Sequence, residues 1–185
     1  MTDIQIIDLF FERSDQAIPE LAKNHEQTVR KVAYNILGNI QDTEECVNDT
    51  WFAVWGSIPP NRPSPLRTFV CKIARNLATK KYHSNAAQKR NSQYDVALDE
   101  LAECIPDHHI IEDIYSAKEL SVYINRFLDT LSYEDKFIFM RRYWYADSLT
   151  DIVRMTNMSY SSISVRLHRI KIKLKNLLMK EGLLV

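Results

Sequence analysis

Apolar residues along this chain recur at three- and four-residue intervals and seldom alternate. Val29, Val32, Ala33, Ile36 and Leu37 make one such stripe, and Gly38 stands where a helix ends. Before it, Ile4 to Phe11 is apolar with acids interspersed, which predicts a short first helix. Pro19 suits the first turn of the second. Asp42-Thr-Glu-Glu45 has capping-box spacing, and Val47, Trp51, Val54 and Trp55 give the following helix, Asp42 to about Trp55, its apolar side. Four prolines in Ile58-Pro-Pro-Asn-Arg-Pro-Ser-Pro65 exclude a helix interior there. Leu66, Phe69, Val70, Ile73 and Leu77 then predict a buried stripe on a helix reaching Tyr82.

The second half repeats the pattern after a polar and acidic interval. An amphipathic helix runs from about Lys118 to Leu131, and Ser132-Tyr-Glu-Asp135 has the spacing of a helix start. Phe137, Met140 and Tyr143 to Tyr145 supply core. Leu149, Ile152 and Val153 stripe a short helix, Asn157 offers the left-handed turn that ends it, and Ser159 can cap the next. That helix carries Ile163, Leu167, Ile170, Leu174 and Leu177. Ile170-Lys-Ile-Lys-Leu-Lys175 alternates as a strand would, but the longer seam favours helix. Glycine is scarce, at 3 residues. The expected fold is all-α, with two small helical domains joined by a linker and a helix-turn-helix in the second. The expected boundaries are 1–90, an acidic linker at 91–123, and 124–185.

Charge changes the picture. The formal net charge is zero. Yet residues 62–90 hold 8 Lys/Arg and no acid, and residues 124–185 hold 11 against 6. Residues 1–61 hold 4 against 10, and residues 91–123 hold 1 against 8. Two basic blocks between acidic ones imply two polyanion contacts and another kind of partner. Cys46, Cys71 and Cys104 are too far apart for a metal motif and odd in number, which points to a reducing cytoplasm. No cofactor or metal is expected: His108, His109 and Glu112 have no further ligand nearby. Asp3, Asp8 and Glu12 break any signal-peptide core, and no apolar run approaches the ~20 residues of a membrane span.

Three helix faces carry candidate chemistry. Glu45, Asn48, Asp49 and Phe52 share one side of their helix, polar with one aromatic, as a docking face for a basic partner would. Lys72, Arg75, Asn76, Thr79 and Lys80 collect opposite the apolar stripe of theirs, a pattern suited to a nucleic-acid strand. Ser161, Ser162, Ser164, Arg166, His168 and Arg169 fall off the last seam. Small hydroxyls admit a close backbone, and arginines reach phosphates and guanines in a major groove. The plain alternative for each is a solvated face of an ordinary bundle, with Phe52 in the core.

Asp42-Thr-Glu-Glu-Cys-Val-Asn-Asp-Thr-Trp-Phe52 resembles the core-polymerase-binding helix of extracytoplasmic-function sigma factors, the minimal class of bacterial initiation factors in the sigma-70 family. Arg67-Thr-Phe-Val-Cys-Lys-Ile-Ala-Arg-Asn76 resembles their promoter-melting helix. Leu128-Asp-Thr-Leu131 and Ser148 to Lys175 resemble their second domain. The resemblance implies that Asp42, Glu45, Asn48, Asp49 and Phe52 bind core RNA polymerase. It implies that Arg62, Arg67, Lys72, Arg75, Asn76 and Lys80 meet the minus-ten element. Ser161, Ser162, Ser164, Arg166, Arg169 and Lys171 would read the minus-thirty-five element. It also implies promoter DNA and an anti-sigma factor as partners, and no enzymatic activity, since polymerase carries the catalysis. Phe69 stands where the family usually has Trp. Asp151, Val153 and Asn157 replace the usual Glu, Ala and Gly of the helix pair.

The rival functions are a stand-alone helix-turn-helix regulator and a sigma-like decoy that titrates an anti-sigma factor. The basic helix after the proline-rich loop argues against the first. Arg166, Arg169 and the basic block argue against the second. A nucleic-acid enzyme would need paired carboxylates or metal ligands that the pattern does not place.

Overall fold

The structure, a computed structural model, describes residues 1–85, 92–102 and 117–181. Those residues contain helices and turns and no strand. The chain divides into two compact units, Met1–Ser92 and Gln93–Val185.

The first unit holds α1 (Asp3–Phe11), α2 (Ala17–Leu37), α3 (Ile40–Ser57) and α4 (Leu66–Ser84). Helices α2, α3 and α4 pack on one another and α1 lies on α2. Ile6, Phe10, Leu21, Val29, Val47, Trp51, Val54, Leu66, Val70 and Ala74 form their common core. Gly38 ends α2 at φ 71°, and its N–H donates to the Tyr34 carbonyl. A side chain there would meet the left-handed penalty that glycine escapes.

Two local expectations are corrected here. The start of α3 lies at Asn39, whose side chain accepts the Asp42 N–H at 2.8 Å, so Asp42 sits inside the first turn and is not the cap. The buried stripe of α4 is Leu66, Val70, Cys71, Ala74 and Ala78, while Phe69, Ile73 and Leu77 are only half-buried. Small residues at the contact let helix axes approach closely, and the larger side chains then fill the flanks.

The second unit holds α5 (Gln93–Ala102), α6 (Ala117–Asp129), α7 (Tyr133–Phe139), a π-helical turn (Met140–Trp144), α8 (Leu149–Met155) and α9 (Tyr160–Lys180). Phe127, Leu131, Ile138, Phe139, Tyr143, Ile152, Ile163, Leu167, Ile170, Leu174 and Leu178 make its core. Ser132, Ser148 and Ser159 each accept an N–H from three residues on, so the three hydroxyls start α7, α8 and α9. The alternating stretch from Ile170 to Lys175 is helical, as its seam requires. That seam ends on Leu178, with Leu177 at its margin.

The sequence expectation differs from the structure at three further points. Residues 93–102, expected in the linker, are helical, and Ala97 joins the second core. The turn after α8 leaves through Thr156 in an extended conformation, and Asn157 is not among the residues with positive φ. The π-helical turn was not expected; its wide ring carries Arg142 and Tyr143 inward. Cys104, Ile105-Pro106, His108, His109 and Glu112 lie outside the described residues. Among those described, no helix is long and apolar enough to cross a membrane, and no group of metal-ligating side chains assembles.

Ile163 is fully buried and belongs to the second core alone. Ile163→Ala should therefore cost about 2–5 kcal/mol of stability in the second unit. Urea melts followed by hydrogen exchange should show the first unit's transition unmoved.

Candidate polymerase-docking and nucleic-acid faces

Burial of Cys46, Val47, Thr50, Trp51 and Val54 fixes how α3 is turned. The rotation leaves Glu45, Asn48, Asp49 and Phe52 exposed along the opposite side. Phe52 is 81% exposed, so the core alternative for it is excluded. An aromatic ring in water beside carboxylates gains by being covered, which is the chemistry of a docking anchor. Cys46, on the buried side, is no nucleophile. Burial pushes its thiol up to about 11, and it donates to the Ala74 carbonyl.

Asp42 and Glu45 have a second task. Lys81, near the end of α4, reaches Asp42 at 3.2 Å and also pairs with Glu45. Asn39 and Asn85 donate to the same Asp42 carboxylate. The Asn39 bond and, less strongly, Lys81 hold the Asp42 carboxyl below its ordinary value against an opposing desolvation. Burial alone would lower the Lys81 ammonium, but its bonds to Glu45 and Asp42 outweigh that and raise it. Lys81 was not among the candidate residues. Its spacing of three from Ala78, on the buried side of α4, and the acids of α3 were the available signal.

The basic face of α4 is partly as expected. Arg67, Lys72, Asn76 and Lys80 are exposed, while Arg75 is half-buried. Arg62 is exposed in the proline-rich loop but engaged: it donates to Asp8 at 2.9 Å and lies over the Phe11 ring at 4.0 Å. It thereby ties the loop to α1. Phe69 packs on the core as a half-buried side chain.

On α9, burial of Ile163, Leu167, Ile170, Leu174 and Leu178 turns Ser161, Ser164, His168 and Arg169 to solvent. Ser162 is half-buried beside the cap. Arg166 is held by Glu134 at 3.1 Å and by Asp135 at 2.9 Å, both in the first turn of α7. Lys171 donates to the Glu100 carbonyl at 3.2 Å. Two of the expected DNA-contacting cations therefore have intramolecular work. The pairing was not legible in the sequence because Asp135 and Arg166 lie far apart along the chain. Val165, Ile172 and Met179, between 45% and 48% exposed, add an apolar stripe to the same side of α9.

Residues 21–88 match the family model described as Sigma-70 region 2. The first unit thus carries a stretch that matches a sigma-70 region 2 domain. A solved structure titled "Structure of CnrH in complex with the cytosolic domain of CnrY" is similar at 16% identity and a TM-score of 0.44, over 96% of this chain and 97% of that one. A search of curated proteins finds no match.

The Asp42 carboxyl is depressed in the folded state, so its contribution is present above its ordinary pKa of 3.8 and is lost as pH falls through the lower folded value. Asp42→Asn should lower the first unit's melting temperature near neutral pH. The gap to wild type should shrink as the melts are taken below pH 3.8.

Arg166→Ala should cost the second unit about 1 kcal/mol or less, because its ion pairs are half-exposed. Arg169→Ala should leave stability within about 0.5 kcal/mol. Thermal melts of the two variants should separate these roles.

Proposed function

We propose that this chain is a sigma factor of the extracytoplasmic-function class, which brings core RNA polymerase to specific promoters. The exposed α3 face of Glu45, Asn48, Asp49 and Phe52, set within a sigma-70 region 2 domain, is the observation that carries the reading. On this reading α3 docks on polymerase. The α4 face of Lys72, Arg75, Asn76 and Lys80 follows the phosphates of the melted minus-ten strand. A loop stiffened by Pro59, Pro60, Pro63 and Pro65 loses little entropy when it holds an unstacked base.

The second unit then reads the minus-thirty-five element. Helix α8, a capped turn and α9 have the order of a helix-turn-helix, with the start of α9 offering Ser161 and Ser164 to a major groove. Arg169 is the better candidate for a base or phosphate contact, because Glu134 and Asp135 hold Arg166. Arg166 positions α9. Two modest DNA contacts on separate domains gain affinity when polymerase aligns them, so isolated binding is weak. An anti-sigma factor, the remaining partner the resemblance implies, would act by covering one or both faces. Catalysis belongs to polymerase, and the work is cytoplasmic.

Asp49→Lys should weaken binding to purified core polymerase and leave the melting temperature within a degree or two of wild type. Run-off transcription on a cognate promoter should fall in parallel. An unfolded variant would make Asp49 structural, and unchanged binding would remove α3 from the interface.

A further inference from the structure

We propose that α1 and the turn after it form a brace that sets the position of the proline-rich loop, with Asp8, Phe11 and Arg13 as its positioning residues. The loop needs donors from elsewhere because proline has no N–H to give. The Trp55 carbonyl lies in the last turn of α3. In a continuing helix it would accept the N–H of residue 59, but residue 59 is Pro59. Arg13 makes up that loss. Its Nη1 donates to the Trp55 carbonyl at 2.9 Å, and its guanidinium lies 5.1 Å from the centre of the Trp55 ring. Arg13 reaches α3 from a left-handed backbone, φ 54°, just past the end of α1.

The same helix holds the middle of the loop. Ile6 and Phe10 are fully buried, which fixes the rotation of α1. Asp8 and Phe11, three residues apart, then lie side by side at the margin of the core. Arg62 closes on both, giving an N–H to the carboxylate and a face to the ring. Ile58 before it and Leu66 after it are fully buried. The loop is thus tied at Trp55, Ile58, Arg62 and Leu66, and Asn61 and Ser64 stay exposed among these ties. An ion pair between side chains 56% and 48% exposed adds little to stability. It decides where the loop sits, not whether the domain folds.

The brace itself stands on geometry alone; its use rests on the sigma-factor reading and the base-holding loop. A loop discriminates among bases only as well as it is placed, because hydrogen bonds weaken steeply with misalignment. Arg62 spends its charge on α1, so it places the loop instead of neutralising a phosphate. The sign of the effect at Asp8 separates this role from simple charge. An acid beside a polyanion repels it, so removing Asp8 for charge alone would raise affinity for every strand alike. The brace requires a loss of discrimination at one base instead.

Nitrogen-15 relaxation of the full-length chain reads the loop directly, at the Asn61 and Ser64 amides. Their order parameters should lie near ~0.85 in wild type and drop below ~0.6 in Asp8→Ala and in Arg13→Ala. The melting temperature of Asp8→Ala should stay within a degree or two of wild type. Unchanged order parameters in both variants would overturn the brace. Its use is tested with core polymerase bound to the chain and single-stranded minus-ten oligonucleotides that differ at one base. Asp8→Ala should cut the preference at one position by roughly threefold or more, and Asp8→Glu, which still reaches Arg62, should restore it. Added to Arg62→Ala, Asp8→Ala should change nothing further, since it acts through Arg62. A uniform rise in affinity for all the oligonucleotides would overturn the role in base discrimination. A wild-type complex that prefers no base would strike the base-holding loop, and a chain that does not bind polymerase would strike the sigma-factor reading. In either case the relaxation data still judge the brace.

Discussion

Lys81 joins the two working helices of the first domain. Its ammonium lies between Asp42 and Glu45, so the end of α4 is pinned to the start of α3. Ala74 and Ala78 allow that approach, since larger side chains there would hold the helices apart. With the helices so fixed, neither can rotate to bury its other side. Glu45, Asn48, Asp49 and Phe52 stay exposed on α3, and Lys72, Asn76 and Lys80 on α4. The division of labour proposed above, polymerase on one face and DNA on the other, would rest on this packing.

The second domain meets the same constraint with charge in a different place. Arg166 and Arg142 lie in a basic part of the sequence, where a count of cations suggests DNA. Each instead carries a carboxylate from another helix, Asp135 and Glu134 for the first and Glu100 for the second. A half-buried or buried guanidinium without such a partner would be costly. What remains for a ligand is Arg169, His168 and the serines at the start of α9.

The fold was largely legible because helix signals are local. Gly38, Ser132, Ser148 and Ser159 mark helix ends by short-range chemistry, and the stripes lie within single elements. The α3 face could be named for the same reason. What escaped depends on distant partners. The rotation of α4 depends on what it packs against. The π-helical turn has no local signature. Helix α5 reads as an acidic linker until Arg142 is seen to hold Glu100, 42 positions away. The intramolecular partners of Arg62, Arg166 and Lys171 escaped for the same reason: a cation's partner across the fold is invisible in its own stretch of sequence.

If α3 and α4 carry separate tasks, they can be separated experimentally. The most direct measurement compares transcription from a duplex promoter and from one with a pre-melted bubble, using Lys72→Ala combined with Arg75→Ala. Polymerase binding should match wild type. The duplex template should lose most of its activity, and the bubble template should recover much of it, because strand separation no longer has to be driven. Equal loss on the two templates would contradict the account, since the α4 face would then supply only general affinity.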